Sequence, residues 1–274
     1  MERKTCSICG GSSFTLTPFV NLMGLGANYI LCADCGVGCY DRTITTPVEA
    51  YDNPACHALA EKCLKFGSMC SFDESKTEMY RQFHKTYYSE RLATINAMLA
   101  PEPMRRIYEI GSNIADFLQI AQDDFGCEVE GCEPNGRAVE IAKSRGVKLE
   151  HAFFQQAHPT SPYDAVLMMD VLEHTSTPME DLIRAHSILK PSGILLLKTF
   201  YEEFHVNLNP EALQTSDAWS LGLDKKGYFD PIQHVFHFTK EVLCRTIEHA
   251  GFRIESTIDN EFYGQRTIFA SRGA

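Results

Sequence analysis

From Arg106 onward the chain alternates short apolar runs with amphipathic stretches, the pattern of strands and helices in turn. Arg106 to Ile110 reads as a short strand leading into Gly111, and Ala115 to Asp123 as a helix. Glu128 to Cys132 is a strand ending at Glu133, Ala138 to Ser144 a helix, Val147 to Glu150 a short strand, and Tyr163 to Met169 a buried strand. Pro178 to Leu189 has helical spacing, Lys190-Pro191-Ser192-Gly193 reads as a turn, and Ile194 to Thr199 as an apolar strand. Thr239 to Ala250 is a helix stopped by Gly251, and Phe252 to Thr257 with Gln265 to Ala270 forms a last strand pair. Such alternation predicts a mostly parallel sheet with helices on both faces. Upstream, Tyr51 to Leu99 is helical with several breaks, and Pro101-Glu102-Pro103 marks its end, since proline disfavours helix at the residue before it. Residues 1–45 show neither period and are dense in Cys and Gly. The expected division is therefore 1–48, 49–100 and 101–274.

Length fits this division: 274 residues suit an α/β domain of roughly 200 residues with a small module attached. No apolar run approaches the ~20 residues that span a bilayer, and Met1 to Cys6 lacks the apolar core of a signal peptide, so a cytoplasmic location is expected. A net charge of −11 argues against a partner made of phosphate backbone and for a small-molecule substrate.

Eleven cysteines in a chain read as cytoplasmic point to thiols and metal ligands rather than disulfides. Cys6-x-x-Cys9-Gly10 and Cys32-x-x-Cys35-Gly36 are paired knuckles. Thiolates three positions apart reach one tetrahedral ion when the turn between them is tight, and the following Gly permits that turn. The β-prone segments around Phe14 and Tyr29 complete the outline of a zinc ribbon, with Cys39 as a less regular alternative fourth ligand. Four thiolates leave no open coordination position, so the expected zinc is structural. Cys56, Cys63 and Cys70 recur every seven residues, the spacing of one buried helical stripe.

Chemistry gathers first around Gly111, at a strand-to-helix turn where a missing Cβ lets a ligand approach the backbone. About twenty residues further on, Glu133 ends the next strand, where a carboxylate can accept from both hydroxyls of a ribose. The loop carries Asn113 and Ala115 where a pyrophosphate cradle would want glycines, so a dinucleotide is disfavoured and a nucleoside cofactor without phosphate is favoured.

At this point Glu109-Ile110-Gly111-Ser112-Asn113-Ile114-Ala115 resembles the first motif of class I S-adenosylmethionine-dependent methyltransferases, (D/E)-x-G-x-G-x-G, and most closely the E-I-G-S-N-D-G variant of deoxysugar C-methyltransferases. Ile114 and Ala115 depart from that variant. Tyr163-Asp164 through Val171-Leu172-Glu173-His174 resembles the family's fourth strand and its V-L-E-H sequel. Leu189-Lys190-Pro191-Ser192-Gly193 resembles its L-K-P-G-G turn, His234-x-x-His237-Phe238-Thr239 its H-x-x-(H/Y)-F-S segment, and Ala250-Gly251-Phe252 its A-G-F helix ending. Paired knuckles occur upstream in many glycan-associated relatives. The resemblance implies a Rossmann-like α/β fold plus an N-terminal zinc-ribbon module, S-adenosylmethionine as cofactor beside the zinc, and a sugar or nucleotide-linked sugar as acceptor. It implies cofactor contacts from Glu109, Gly111, Ser112, Asn113, Phe117, Glu133, Pro134, Asp170, Val171 and Leu172, and metal ligation by Cys6, Cys9, Cys32 and Cys35.

Methyl transfer needs a positioned acceptor and often a base, and histidine titrates in the useful range. His234 is the first candidate, at a position where the sugar C-methyltransferases carry a Glu-His pair; here Gln233 replaces the acid, which favours O-methylation. His237 and His174 are the others. Those relatives continue into a further C-terminal domain, so the acceptor is expected to differ or to be held differently. Trp219 with Tyr201, Phe204 and Tyr228 lies between the strand ending near Thr199 and the last helix, where aromatics could cover a substrate or pack a loop. The competing readings are methylation of another natural-product metabolite, an RNA methyltransferase, which the acidic balance opposes, and a non-catalytic binding module.

Overall fold

The computed structural model describes residues 4–16, 28–41, 54, 57–58, 60–61, 63, 77–160, 162–201, 234–260 and 264–273. Cys56, Cys70, Phe204, His205, Trp219, Tyr228 and Gln233 lie outside them. In chain order the elements are β1 (Phe14–Leu16), β2 (Tyr29–Cys32), β3 (Gly38–Tyr40), α1 (Thr77–Met98), β4 (Arg106–Ile110), α2 (Asp116–Phe125), β5 (Glu128–Glu133), α3 (Gly136–Ser144), β6 (Leu149–His151), β7 (Tyr163–Met169), α4 (Pro178–Ile188), β8 (Leu189–Phe200), β9 (Phe236–His237), α5 (Lys240–His249), β10 (Phe252–Asn260) and β11 (Gln265–Arg272). The strands form a sheet ordered β10-β11-β8-β7-β4-β5-β6 and a smaller one ordered β1-β2-β3-β9. The fold is thus mixed α/β and Rossmann-like. No helix among the described residues is long and apolar enough to cross a membrane.

The chain forms two compact units. One gathers Met1–Thr45, Asp170–His186 and Leu197–Gly273; the other gathers Thr46–Met169, Ser187–Leu196 and Ala274. In the second, β4 pairs in parallel with both β5 and β7, and β5 with β6. Tyr163 to Met168 of β7 are all buried, as a strand covered on both faces requires. Asp164, the polar exception, accepts from the Arg105 and Arg106 amides and pairs with Lys190 at 2.6 Å, which ties the starts of β4 and β7 together. Asn135 caps α3 by accepting from the Arg137 and Ala138 amides, and α2 ends on Gly126 in a left-handed conformation. Helix α1 buries Leu92 and Ile95 and sets Tyr88 against Phe117 at 4.5 Å between ring centroids.

In the first unit β1, β2, β3 and β9 pair antiparallel throughout. Gly38 lies opposite His237 and Cys39 opposite Phe236. Strands β10 and β11 form an antiparallel pair with an irregular register between Ile254 and Ser256, and α5 is capped by Thr239, whose side chain accepts from the Val242 amide.

One sequence expectation is corrected. The strand expected from Ile194 begins earlier, since β8 starts at Leu189 directly after α4, and the turn expected at Lys190 to Gly193 falls inside that range. The sharp bend expected of Gly193 survives inside the strand: a Cβ there would stand 2.8 Å from Leu189 Cδ2 and 3.0 Å from the Lys190 carbonyl oxygen.

Candidate active site

The loop after β4 is built from left-handed backbone. Gly111, Asn113 and Ala115 have φ of 69°, 47° and 62°. Glycine takes this region freely and asparagine tolerates it, but alanine pays about 1–2 kcal/mol. The loop is held at three points. The Gly111 and Ser112 amides donate to the Cys132 carbonyl, the Ser112 hydroxyl donates to the Glu109 carbonyl at 2.9 Å, and the Ala115 amide donates to Ser112. Beyond it, Arg145 clamps the loop exit by donating to the Ile114 carbonyl at 2.9 Å and pairing with Asp116 at 2.6 Å. Gly131 of β5 makes room for the loop: a Cβ there would meet Ser112 Oγ at 2.4 Å and the Glu109 carbonyl oxygen at 2.7 Å.

Glu133 ends β5, buried, with one carboxylate oxygen accepting from the Asn113 amide and the other from the Asn135 amide, both at 2.8 Å. Burial raises its pKa while the two amides oppose the rise. An ionised carboxylate has about four acceptor sites, so Glu133 keeps capacity for a diol. Glu109 is buried too, and burial with the nearby Asp116 and Glu133 holds its carboxyl well above the usual range. One of its oxygens has no hydrogen-bond partner. Ile114 packs with Ala60, Cys63, Ala138 and Ile141, which explains an apolar residue where the resembled motif has aspartate. Phe117 is buried against Tyr88, and the Pro134 carbonyl accepts from His151 Nε2 at 2.9 Å.

The first unit carries the remaining candidates. Asp170, directly after β7, has φ of 55° and pairs with Lys198 at 2.5 Å; Gln265 also reaches it at 3.4 Å. Leu172 is buried and Val171 half-buried. Val171 accepts from the His174 amide, closing the turn that aims Glu173 and His174. The Glu173 carbonyl accepts from the Val235 and Phe236 amides, which brings the segment starting at His234 alongside. The His174 and His234 rings meet edge to face at 4.9 Å, Phe200 lies 5.2 Å from His234, and His237 lies 6.1 Å from His234 and 5.1 Å from Tyr29. His234 and His237 are buried and His174 is half-buried. All three candidate bases therefore stand in one cluster.

The same unit holds the cysteines. The Sγ atoms of Cys6, Cys9, Cys32 and Cys35 all lie within 4.8 Å of one another, with Cys6–Cys35 at 3.7 Å and Cys9–Cys32 at 3.6 Å. A tetrahedron with metal–sulfur bonds of about 2.3 Å has edges of about 3.8 Å, so the spacing fits a thiolate-bound ion. The two knuckles repeat one hydrogen-bond pattern: Gly10 N–H to Cys6 O and Cys6 N–H to Gly11 O, then Gly36 N–H to Cys32 O and Cys32 N–H to Val37 O. Gly10 and Gly36 both have positive φ. The hydrogen bond between them pushes the Cys6 thiol down and Cys35 up, as two thiols sharing one proton do. Cys39 is buried in β3 and is not part of the tetrad.

Sequence reasoning gave no role to Gly131, Asn135, Arg145, Lys198 or Glu173. Glu173 alone had a signal, its place between Leu172 and His174 in a quoted motif.

Residues 80–257 match a family described as a methyltransferase domain. The chain belongs to this family. Two curated methyltransferases resemble it, both named ubiquinone biosynthesis O-methyltransferase. That of Roseobacter denitrificans is 27% identical over 124 residues, covering 42% of this chain and 47% of the relative. That of Aeromonas salmonicida is 27% identical over 161 residues, covering 55% of this chain and 63% of the relative. The matches thus span about half to three-fifths of these relatives. Among solved structures, magnesium protoporphyrin IX methyltransferase from Synechocystis with bound SAH superposes with a TM-score of 0.57 at 18% identity, over 82% of this chain and 98% of that one. At that identity the likeness speaks for the methyltransferase fold.

Proposed function

We propose that the protein transfers a methyl group from S-adenosylmethionine to a small-molecule acceptor, with a sugar or nucleotide-linked sugar as the first acceptor class. The observation that carries the reading is the loop after β4. Left-handed backbone at Gly111, Asn113 and Ala115 folds it over buried Glu133, whose carboxylate orders it through the Asn113 amide. This is a site for a ribose and an amino-acid tail, without the glycine cradle a pyrophosphate needs. Glu109, Gly111, Ser112, Asn113, Glu133 and Pro134 would contact the cofactor there, and Phe117 would back them.

In the reaction the sulfonium carbon–sulfur bond breaks, its electron pair staying on sulfur, as the acceptor atom bonds to the methyl carbon. An acceptor hydroxyl loses its proton to the cluster of His174, His234 and His237. Burial of His234 and His237 keeps water from competing for that role. Oxygen as acceptor atom is supported by the O-methyltransferase names of both curated relatives. Those names also support a second reading, a hydroxyl of another natural-product or metabolite acceptor in place of a sugar. The four cysteines would hold a structural zinc in a small ribbon module, and the protein would act as a soluble cytoplasmic enzyme.

The test is calorimetric titration of the zinc-loaded protein with S-adenosylmethionine and S-adenosylhomocysteine. Micromolar binding, weakened in Glu133→Gln and lost in Glu133→Ala, is the expected result. Folded protein that binds neither would overturn the reading in favour of a non-catalytic module.

A further inference from the structure

We propose that Glu173, His174 and His234 form a binding site for a divalent cation, separate from the four cysteines. The carboxylate and the two imidazoles offer three ligand atoms, all within 4.8 Å of one another. Two histidines and one carboxylate are a recurrent ligand set for Mn, Fe and Zn ions that leaves further positions open. The second observation is the state of Glu173. It is 1% exposed; one carboxylate oxygen accepts from the Thr199 hydroxyl at 2.6 Å, while the other has no hydrogen-bond partner. A buried carboxylate oxygen left in this way is costly, and a cation beside it offsets the cost.

The site is also held in shape without a ligand. The Glu173 carbonyl accepts from the Val235 and Phe236 amides, so its backbone is bonded to the residues that follow His234. The His174 amide closes onto Val171, and Thr199 fixes the carboxylate. Each ligand therefore has little freedom to lose on binding an ion.

The role of the ion rests on the methyl-transfer reading; its binding does not. A cation with three protein ligands has room for acceptor oxygens, such as a vicinal diol or a hydroxy-carbonyl pair. Coordination makes a hydroxyl more acidic, so the ion would supply the activation otherwise assigned to the histidine cluster, the hydroxyl proton leaving to water. His234 would then be a ligand rather than the base.

Manganese(II) separates this site from the tetrad, because four thiolates select zinc while carboxylate and imidazole accept manganese. Purified zinc-loaded protein is titrated with manganese chloride and free Mn(II) is followed by electron paramagnetic resonance, without cofactor or acceptor. The expected result is one ion per chain, bound about tenfold or more weakly in Glu173→Gln and in His174→Ala. His158→Ala, which removes an exposed surface imidazole, should leave it unchanged. His174 is half-buried, so its variant reports even if Glu173→Gln unfolds. Absence of binding in folded protein, or binding that both variants retain, overturns the proposal. Neither result bears on S-adenosylmethionine binding, which calorimetry reads separately.

Discussion

Gly131→Ala tests the loop architecture more sharply than any change to a polar side chain, because it adds one methyl group and removes nothing. The added Cβ would sit 2.7 Å from the Glu109 carbonyl oxygen, 2.4 Å from Ser112 Oγ and 3.1 Å from Leu149 Cδ2. The serine hydroxyl can rotate away at the expense of its bond to Glu109. The carbonyl cannot, since it belongs to β4, whose register against β5 is fixed from Arg106 to Ile110. Ordinary contact needs about 0.7 Å more room there, a shift that overpacking measurements place at about 1–3 kcal/mol. Alanine's smaller unfolded-state entropy returns about 0.4–1 kcal/mol. The expected net loss is about 1–2 kcal/mol, read by urea unfolding with an unchanged slope. Part of the shift passes along Ser112 to the Asn113–Glu133 hydrogen bond; if about half of it does, S-adenosylmethionine affinity should fall by about twofold to fivefold. A Gly131→Ala protein with wild-type stability and affinity within twofold would show that the loop does not lean on β5 as described.

Three further outcomes are expected. Asn135→Ala removes the cap of α3 and should cost about 1 kcal/mol in urea unfolding, with the Asn135 amide still free to bond Glu133. Asp181 is buried in α4 and burial pushes its carboxyl up to about 6, above its unfolded value near 3.9, so the folded state holds the extra proton between those values. Its contribution to stability therefore falls as pH rises from about 4 to about 6; Asp181→Asn, which keeps an acceptor for Thr175, should flatten that part of the stability–pH curve, and an unchanged curve would contradict the assignment. With the proposed zinc in the tetrad, chelation should lower the melting temperature and speed amide exchange at Phe236 and His237, whose strand pairs with β3; exchange unaltered by chelation would separate the cysteines from β9.

Much of this was legible in the chain. Strands β4 and β7 announce themselves because a strand buried on both faces is dominated by apolar residues, here with Glu109 and Asp164 as the polar exceptions, and the Gly111 turn follows where the chain reverses into a helix. The cysteine tetrad was legible because its chemistry demands fixed spacing and a residue of positive φ after each knuckle. The turn at residues 190–193 was legible from its proline, serine and glycine; what the sequence did not show is that the strand range begins before it, at Leu189. Strand β9 left no period to read: two residues are too few, and its partner β3 lies about 200 positions earlier. Glu173 was visible in its motif, but what it could do was not. Its carboxylate oxygen without a hydrogen-bond partner depends on neighbours distant in sequence.

The β3–β9 ladder also has a consequence during synthesis. At about 5–20 residues per second, a ribosome takes about 10–40 s to proceed from Tyr40 to Phe236. Throughout that interval β3 has β2 on one side and an open edge on the other, a template for pairing with another nascent chain. Rapid closure of the knuckles around an ion would keep β2 and β3 twisted and in register while they wait. Limiting zinc in the growth medium would then show first as aggregation of new chains, before any loss of activity in protein already folded.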